Sequence, residues 1–305
     1  MIEGQEGVTW EQWVALARTC EEAGVEALFR SDHYLSQVDP PSRQALDAWT
    51  TLAGLAAVTS TLRLGTLVSP VTFRLPAVLA NVAATVDQIS GGRAELGIGG
   101  AWMVPEHEAY GIPFPETRVR MELLAEQVEI VHRLWTEETV DFPGKHYELR
   151  GAPGQPRPVQ EPHPPIIVGG SGGRGTVEPA VRFAEEYNTI FCPPEEFARR
   201  RARIREACER AGRDPDSLRY SLMTGFVLDE DRARRLYAMR EREDDFESWL
   251  AAYRGSTIVG EVDEVVARIR EYEEAGCERI MLQHLLHDDL DAVRAIGQEL
   301  APSVA

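Results

Sequence analysis

Apolar positions along this chain switch repeatedly between short β-branched runs and runs that recur every third or fourth residue. The switch is clearest over residues 61–102, TLRLGTLVSPVTFRLPAVLANVAATVDQISGGRAELGIGGAW. Residues 62–68 predict a strand, Pro76 opens an apolar-periodic helix, Ser90-Gly91-Gly92-Arg93 predicts a turn, and residues 94–98 predict a second strand ending in Gly99-Gly100. A strand-to-strand crossover of this length pairs its strands in parallel. Both strand ends then open on one face, where α/β barrels keep their chemistry, and a glycine pair there lets backbone approach a ligand closely.

The same alternation runs through the rest of the chain. Residues 1–4 resemble the tail of a strand that is too short, since strands usually take five or six residues. Thr9 and Gln12 form a capping-box pair for a helix carrying Trp10, Trp13, Leu16, Ala17 and Cys20, ended by Gly24. Strand 25–30 runs into the polar cluster Ser31-Asp32-His33-Tyr34; a loop (35–44) and a helix (45–59) follow. Residues 100–115 read as an irregular insertion, too rich in Pro and Gly for helix, before a long helix at 116–138. A hairpin is predicted at 139–149 around Pro143-Gly144, and an extended Pro-rich loop at 151–165. Then come strand 166–168, helix 176–185, strand 188–192, helix 193–211 and strand 218–228. The densely charged stretch 229–254 reads as helix with a solvated face, with a lid as the alternative; helix 261–275, strand 279–284 and helix 288–300 complete the chain. About eight strands alternate with about eight helices and no composition break divides them. The fold class expected is therefore α/β, one (β/α)8 barrel over residues 1–305, with insertions after strands 4 and 7 and a shortened first strand.

Charge and cysteine usage narrow the function classes. With 305 residues and a formal charge of −18, a nucleic-acid or anionic-membrane partner is not expected. The four cysteines lack CxxC spacing, so neither a disulfide framework nor a zinc cluster is signalled. No signal peptide or membrane-length apolar run is visible, and a cytoplasmic protein acting on a small molecule is expected.

Three clusters could carry chemistry. Gly169-Gly170-Ser171-Gly172-Gly173 lies between a buried strand and a helix, where free backbone N–H groups suit an anion; a plain tight turn explains it equally well. His33 ends a strand and is expected to reach a pocket as hydrogen-bond donor or general acid/base, against the alternative of capping a loop. Neighbouring strand residues face opposite ways, so Asp32 joins it there only if the strand has ended. His284 and His287 beside Asp288-Asp289 invite a metal reading, but a structural role is expected for them and no metal is assigned. Glu106-His107 reads as a solvated loop edge or an entrance.

Taken together, SDHYL, LGTLVSPVTFRLPAVLA, SGGRAELGIGGAW, EHEAYGIPFP and IIVGGSGG resemble, in order, motifs of the bacterial-luciferase-like superfamily. More narrowly they are similar to its members that use the deazaflavin coenzyme F420. The resemblance implies that His33 sits by the deazaflavin ring and the substrate, with Asp32 assigned to the cofactor side. It implies a backbone bulge with a non-prolyl cis bond between Leu67 and Val68, pressed against one ring face. Gly99, Gly100 and Ala101 would line the cofactor, and Trp102 would act near ring or substrate. Gly169, Gly170, Ser171 and Gly172 would form the phosphate loop, with Arg174 supplying fixed charge. Glu3 or Gln5 would lend the polar group that a first strand usually provides, and a homodimer is usual in the family.

The function expected is thus F420-dependent hydride transfer to or from a small organic substrate, with His33 moving the proton. The rivals are a luciferase-like monooxygenase using FMN, a cofactor-free ligand-binding barrel and, more distantly, a metal hydrolase. Loops 34–44, 101–115 and 229–256 would shape the substrate pocket, and their sequence does not specify its ligand.

Overall fold

The computed structural model describes residues 1–37, 43–239 and 245–304. The predicted loop at 35–44 and the charged stretch at 229–254 therefore fall in part outside the described residues. In chain order the elements are α1 (Trp10–Glu22), β1 (Ala27–Arg30), α2 (Ala48–Val58), β2 (Arg63–Pro70), α3 (Pro76–Ser90) and β3 (Ala94–Gly99). They continue with α4 (Val104–Tyr110), α5 (Thr117–Thr136), the hairpin β4 (Thr139–Pro143) and β5 (Glu148–Pro153), β6 (Ile166–Gly169), α6 (Arg174–Phe183) and β7 (Glu186–Ile190). The last are α7 (Pro194–Ala211), β8 (Arg219–Leu228), α8 (Glu230–Ala238), α9 (Phe246–Arg254), β9 (Ile258–Gly260), α10 (Val262–Glu274), β10 (Arg279–Gln283) and α11 (Leu290–Ala295).

The main sheet is parallel, in the order β1-β2-β3-β6-β7-β8-β10. Its two ends are joined by the first residues of the chain. Ile2 donates to Phe29 O (2.9 Å) and accepts from Ser31 N (3.1 Å), while Met1 O accepts from His284 N (3.0 Å). The short segment at 1–2 therefore occupies the first strand position and closes a (β/α)8 barrel, with insertions after the fourth and seventh positions. Thr9 caps α1 in a capping box with Gln12, as the sequence predicts. The main core lies between sheet and helices, where Trp13, Trp49, Leu52, Leu79, Ile98, Val131 and Ile166 are buried. A separate inner cluster joins Phe29, Leu67, Ile167, Met223 and Met281, each from a different strand.

One expectation fails and another is refined. The insertion after β3 contains the helix α4, because Pro105 stands in its first turn, where no N–H is needed, and Gly111 closes it at φ 66°. Pro and Gly bracket this helix where the sequence reading took them to forbid one. The stretch at 229–254 is helical as expected, as α8 and α9 among the described residues, and is followed by the unpredicted short strand β9 against β8.

At the amino-terminal mouth of the barrel, buried charges from three strands meet. Arg279 reaches Glu95 (2.7 Å) and Glu186 (3.2 Å), and Arg63 pairs with Glu95 from a fourth. The opposite mouth is open.

Candidate functional site

A cavity of about 820 Å³ opens at the carboxyl ends of the strands. Glu3, His33, Leu67, Val68, Gly99, Gly100, Ala101, Trp102, Gly169, Gly170 and Ser171 all line it, so the structure brings together eleven of the thirteen residues assigned from the sequence. Asp32 and Gly172 are not among them.

The end of β1 shows why His33 and Asp32 part company. Strand alternation persists past the last paired residue, so Asp32 turns away from the cavity and is fully buried. There it is gripped by Arg74 and accepts from Ser69 Oγ (2.8 Å). Arg74 also reaches Asp47 (2.8 Å) and Tyr34 Oη (3.1 Å). Asp32 is thus held in a buried ion pair outside the cavity lining.

His33 stands at the cavity with Nδ1 2.9 Å from Glu106 Oε2. That contact places the ring proton on Nδ1 in the neutral form and leaves Nε2 as the nitrogen available to the cavity. Burial alone would lower the His33 pKa, but the hydrogen bond and charge of Glu106, helped by Glu3 and Asp32, outweigh it and raise the pKa above the ordinary 6.5. The Trp102 ring stands edge-on to His33, centroids 5.7 Å apart, and at 60% exposure it edges the mouth.

Glu106 is 0% exposed, which overturns its reading as a loop edge. Its Oε1 accepts from the backbone N–H of Tyr34 and of Leu35 (3.1 Å), so one carboxylate fixes both the imidazole and the turn carrying it. His107 is likewise buried, held between Met103 O and Thr72 Oγ1, each at 2.7 Å.

On the floor, the Leu67–Val68 peptide bond is cis, and the β2–β3 register shifts between Thr66 and Ser69. Three glycines leave room for the Val68 side chain. A Cβ on Gly97, Gly99 or Gly169 would lie 3.2, 2.6 or 2.9 Å from a Val68 methyl group. Beyond them, Ala101 adopts φ 60°, a region costly to a residue with a side chain.

The loop after β6 holds Gly170 close to Thr176 Oγ1 and Tyr187 Oη, 2.5 and 2.7 Å from where its Cβ would be. Gly172 differs from its expected role, because its N–H donates inward to Tyr187 Oη (2.9 Å). Arg174 does not serve the loop: it is 87% exposed in its side chain and paired with Glu178. The nearby cations come from α7. A Cβ on Gly172 would lie 3.5 Å from Arg203 Nη2 and 3.6 Å from Arg200 Cγ, and Arg200 is anchored by Glu196 (2.9 Å) and Thr189 (2.6 Å).

Several lining residues went unpredicted, namely Asn188, Phe191, Met223, Arg43 and His287. Asn188 donates to Ser221 Oγ (2.9 Å), while its buried Oδ1 has no partner among the described residues. It is the third of five residues in β7, one strand position deeper than the rim on which the sequence reading looked. Burial, then the neighbouring His284, pushes the His287 pKa down to about 4. Glu3 accepts from Gln5 (2.8 Å) and Gln283 (2.5 Å). Among the described residues, no three His, Cys, Asp or Glu side chains are grouped to hold a metal, and His284 Nε2 lies 3.1 Å from Asp289 O.

Known proteins share this architecture. A family profile described as luciferase-like monooxygenase matches residues 2–279. An F420-dependent glucose-6-phosphate dehydrogenase of Kineococcus radiotolerans is 35% identical over 71% of this chain and 64% of its own length, so the match spans less than two thirds of that enzyme. A pyrimidine monooxygenase RutA of Stutzerimonas stutzeri is 29% identical over 84% of this chain and 78% of its own. Among solved structures, an F420-dependent secondary alcohol dehydrogenase in complex with an F420-acetone adduct superposes with a TM-score of 0.84, at 20% identity, covering 100% of this chain and 98% of the other.

Proposed function

The chain belongs to the luciferase-like monooxygenase family, and from that premise we propose that it is an F420-dependent oxidoreductase transferring a hydride between the deazaflavin and a small organic substrate. The observation that carries this reading is the His33–Glu106 pair at 2.9 Å, placed on the same cavity as both glycine-bearing turns.

The residues present fit the cofactor. Glycines at 97, 99 and 169 let Val68 sit flush where any larger residue would collide with it, which leaves a smooth wall for a planar ring. Gly170 and Ser171 precede α6, whose N-cap Gly173 brings no capping side chain, so backbone N–H groups at the helix start are left for a phosphate. Arg200 and Arg203 would add fixed positive charge in the role expected of Arg174. Asn188 Oδ1, buried and unpaired among the described residues, is a further polar group at this wall.

When bound, the deazaflavin supplies a two-electron hydride carrier that reacts poorly with oxygen, because carbon replaces the reactive ring nitrogen of a flavin. His33 holds or takes the proton that accompanies the hydride, at Nε2. Glu106 keeps the imidazole oriented and favours its protonated form. Trp102 shields the imidazole edge from water.

A second reading, an FMN-dependent monooxygenase, is favoured by the likeness to the pyrimidine monooxygenase over 84% of the chain. Incubating the protein anaerobically with reduced F420 and a set of carbonyl acceptors separates the two. Reoxidation of F420 that is lost in His33→Ala supports the proposal. Oxygen uptake with reduced FMN, together with no turnover of F420, overturns it in favour of the second reading.

A further inference from the structure

The cavity has two chemically different halves. The turns after β2, β3 and β6 form the half that the proposed cofactor would fill. The other half is lined from the segments after β1, β7, β8 and β10. Its apolar members are Leu236 and Met239 at the end of α8, Leu285 after β10, Phe191 after β7 and Met223 in β8. Phe191 and Met239 are 39% and 43% exposed, as wall residues without a bound partner can be.

The charged groups in this half are already engaged. Arg43 Nη1 lies 3.3 Å from Glu6 Oε2, and His33 is paired with Glu106. Glu3 is held by the amides of Gln5 and Gln283. The Met1 nitrogen donates to Leu282 O (2.9 Å). His287 is neutral at pH 7, for the reason given above. Among the described lining residues, then, this half offers no unpaired cation while presenting the carboxylates of Glu3 and Glu6. Arg200 and Arg203, by contrast, stand at the other end beside Gly172. A phosphate group placed among Glu3, Glu6 and the apolar wall would lose its hydration and meet like charge.

We infer that the substrate is an uncharged, largely apolar ketone or secondary alcohol, with its oxygen at His33 and its hydrocarbon part on Leu236, Met239, Leu285 and Phe191, and that phosphorylated sugars are excluded. This inference rests on reading the site as a hydride-transferring oxidoreductase. In the reducing direction the carbonyl carbon gains the hydride, its oxygen gains the His33 proton, the carbonyl becomes an alcohol and the reduced cofactor loses two electrons. The oxidising direction reverses each transfer. The pocket thus differs in substrate class from that of the similar glucose-6-phosphate dehydrogenase, despite the shared fold.

The test is binding of two probes, 2-octanone and glucose 6-phosphate, to the full chain, with and without F420, followed by ligand-observed NMR. The expected result is a 2-octanone dissociation constant at least about tenfold below that of glucose 6-phosphate. Met239→Asp, at a partly exposed position, should weaken 2-octanone about tenfold with an unchanged circular-dichroism spectrum, and Leu285→Asp should do the same. Glucose 6-phosphate binding as tightly as the ketone, or ketone binding unaltered in both variants, overturns the inference. F420 binding measured on the same samples separates the two readings. F420 bound without ketone preference overturns the substrate class alone. Ketone preference without F420 binding supports the pocket assignment and overturns the cofactor.

Discussion

His33 Nδ1 and Glu106 Oε2 lie 2.9 Å apart although 73 residues separate them in the chain. The carboxylate that tunes the imidazole also accepts the N–H groups of Tyr34 and Leu35, so charge and loop geometry are set by one buried side chain. Removing that charge while keeping the shape, as in Glu106→Gln, leaves burial as the dominant influence on His33. Its pKa, raised in the native protein, should then fall, and the limb of activity that needs protonated His33 should move to lower pH. The His33–Glu106 pair stabilises the native state fully below the unfolded histidine pKa, and that contribution disappears as pH rises through the raised native value. Ring nitrogen NMR of both proteins across pH measures the shift directly. His33→Ala should lower kcat/KM by about a hundredfold or more. A Glu106→Gln protein with an unshifted His33 titration would contradict the assignment.

His284 makes the protein sensitive to acid. It is buried, and burial above all pushes its pKa down to about 4, so the unfolded chain binds a proton that the native chain refuses. Between the unfolded histidine value and pH 4, stability should fall as pH falls, by on the order of 3 kcal/mol for this residue. His287, shifted the same way and facing His284, should add to the loss. Chemical denaturation at pH 7 and pH 4.5 reads the difference, which should shrink in His284→Gln.

Two glycines of one strand end should respond differently to alanine. At Gly97 a new Cβ would lie 2.1 Å from Thr66 O, a backbone atom with nowhere to go. At Gly100 it would lie 2.1 Å from Met121 Cε, the far end of a flexible side chain. Gly97→Ala should cost about 1–3 kcal/mol or more, and Gly100→Ala about 1 kcal/mol or less. Thermal melts of the two variants test this order.

Arg279 should matter for stability and not for the site. It answers Glu95 and Glu186 inside the barrel at the mouth opposite the cavity. Arg279→Met leaves buried Glu186 with Arg219, 3.7 Å away, as its ion-pair partner among the described residues, and should cost roughly 3–5 kcal/mol. Cofactor affinity of the folded fraction should stay unchanged.

Much of this architecture is legible along the chain because it is written in local patterns. The Pro76 helix start, the Gly91 turn at φ 67° and the continuous run at 166–168 each state their element within a few residues. Glycines at strand ends and a histidine after β1 likewise mark the rim. What escaped notice depends on distant segments meeting. Glu106 looks like any loop acid until α4 folds over β1, and Arg200 lies 28 positions after Gly172 on a helix that reads as merely charged. Asp32 and Gly172 stand apart from the cavity lining for a second reason. Their types suit a pocket, but alternation turns Asp32 away from the cavity to Arg74, and Tyr187 takes the N–H of Gly172.

On the proposed function this cavity holds a deazaflavin, with its phosphate against Gly170 and Ser171 under the charge of Arg200 and Arg203. Equilibrium titration of the purified protein with F420 and with FMN, in parallel and at fixed ionic strength, tests it most directly. F420 should bind at least about tenfold more tightly than FMN, and Arg200→Ala should weaken F420 by about tenfold while Arg174→Ala leaves it unchanged. Tight binding of FMN with no measurable binding of F420 would contradict the account.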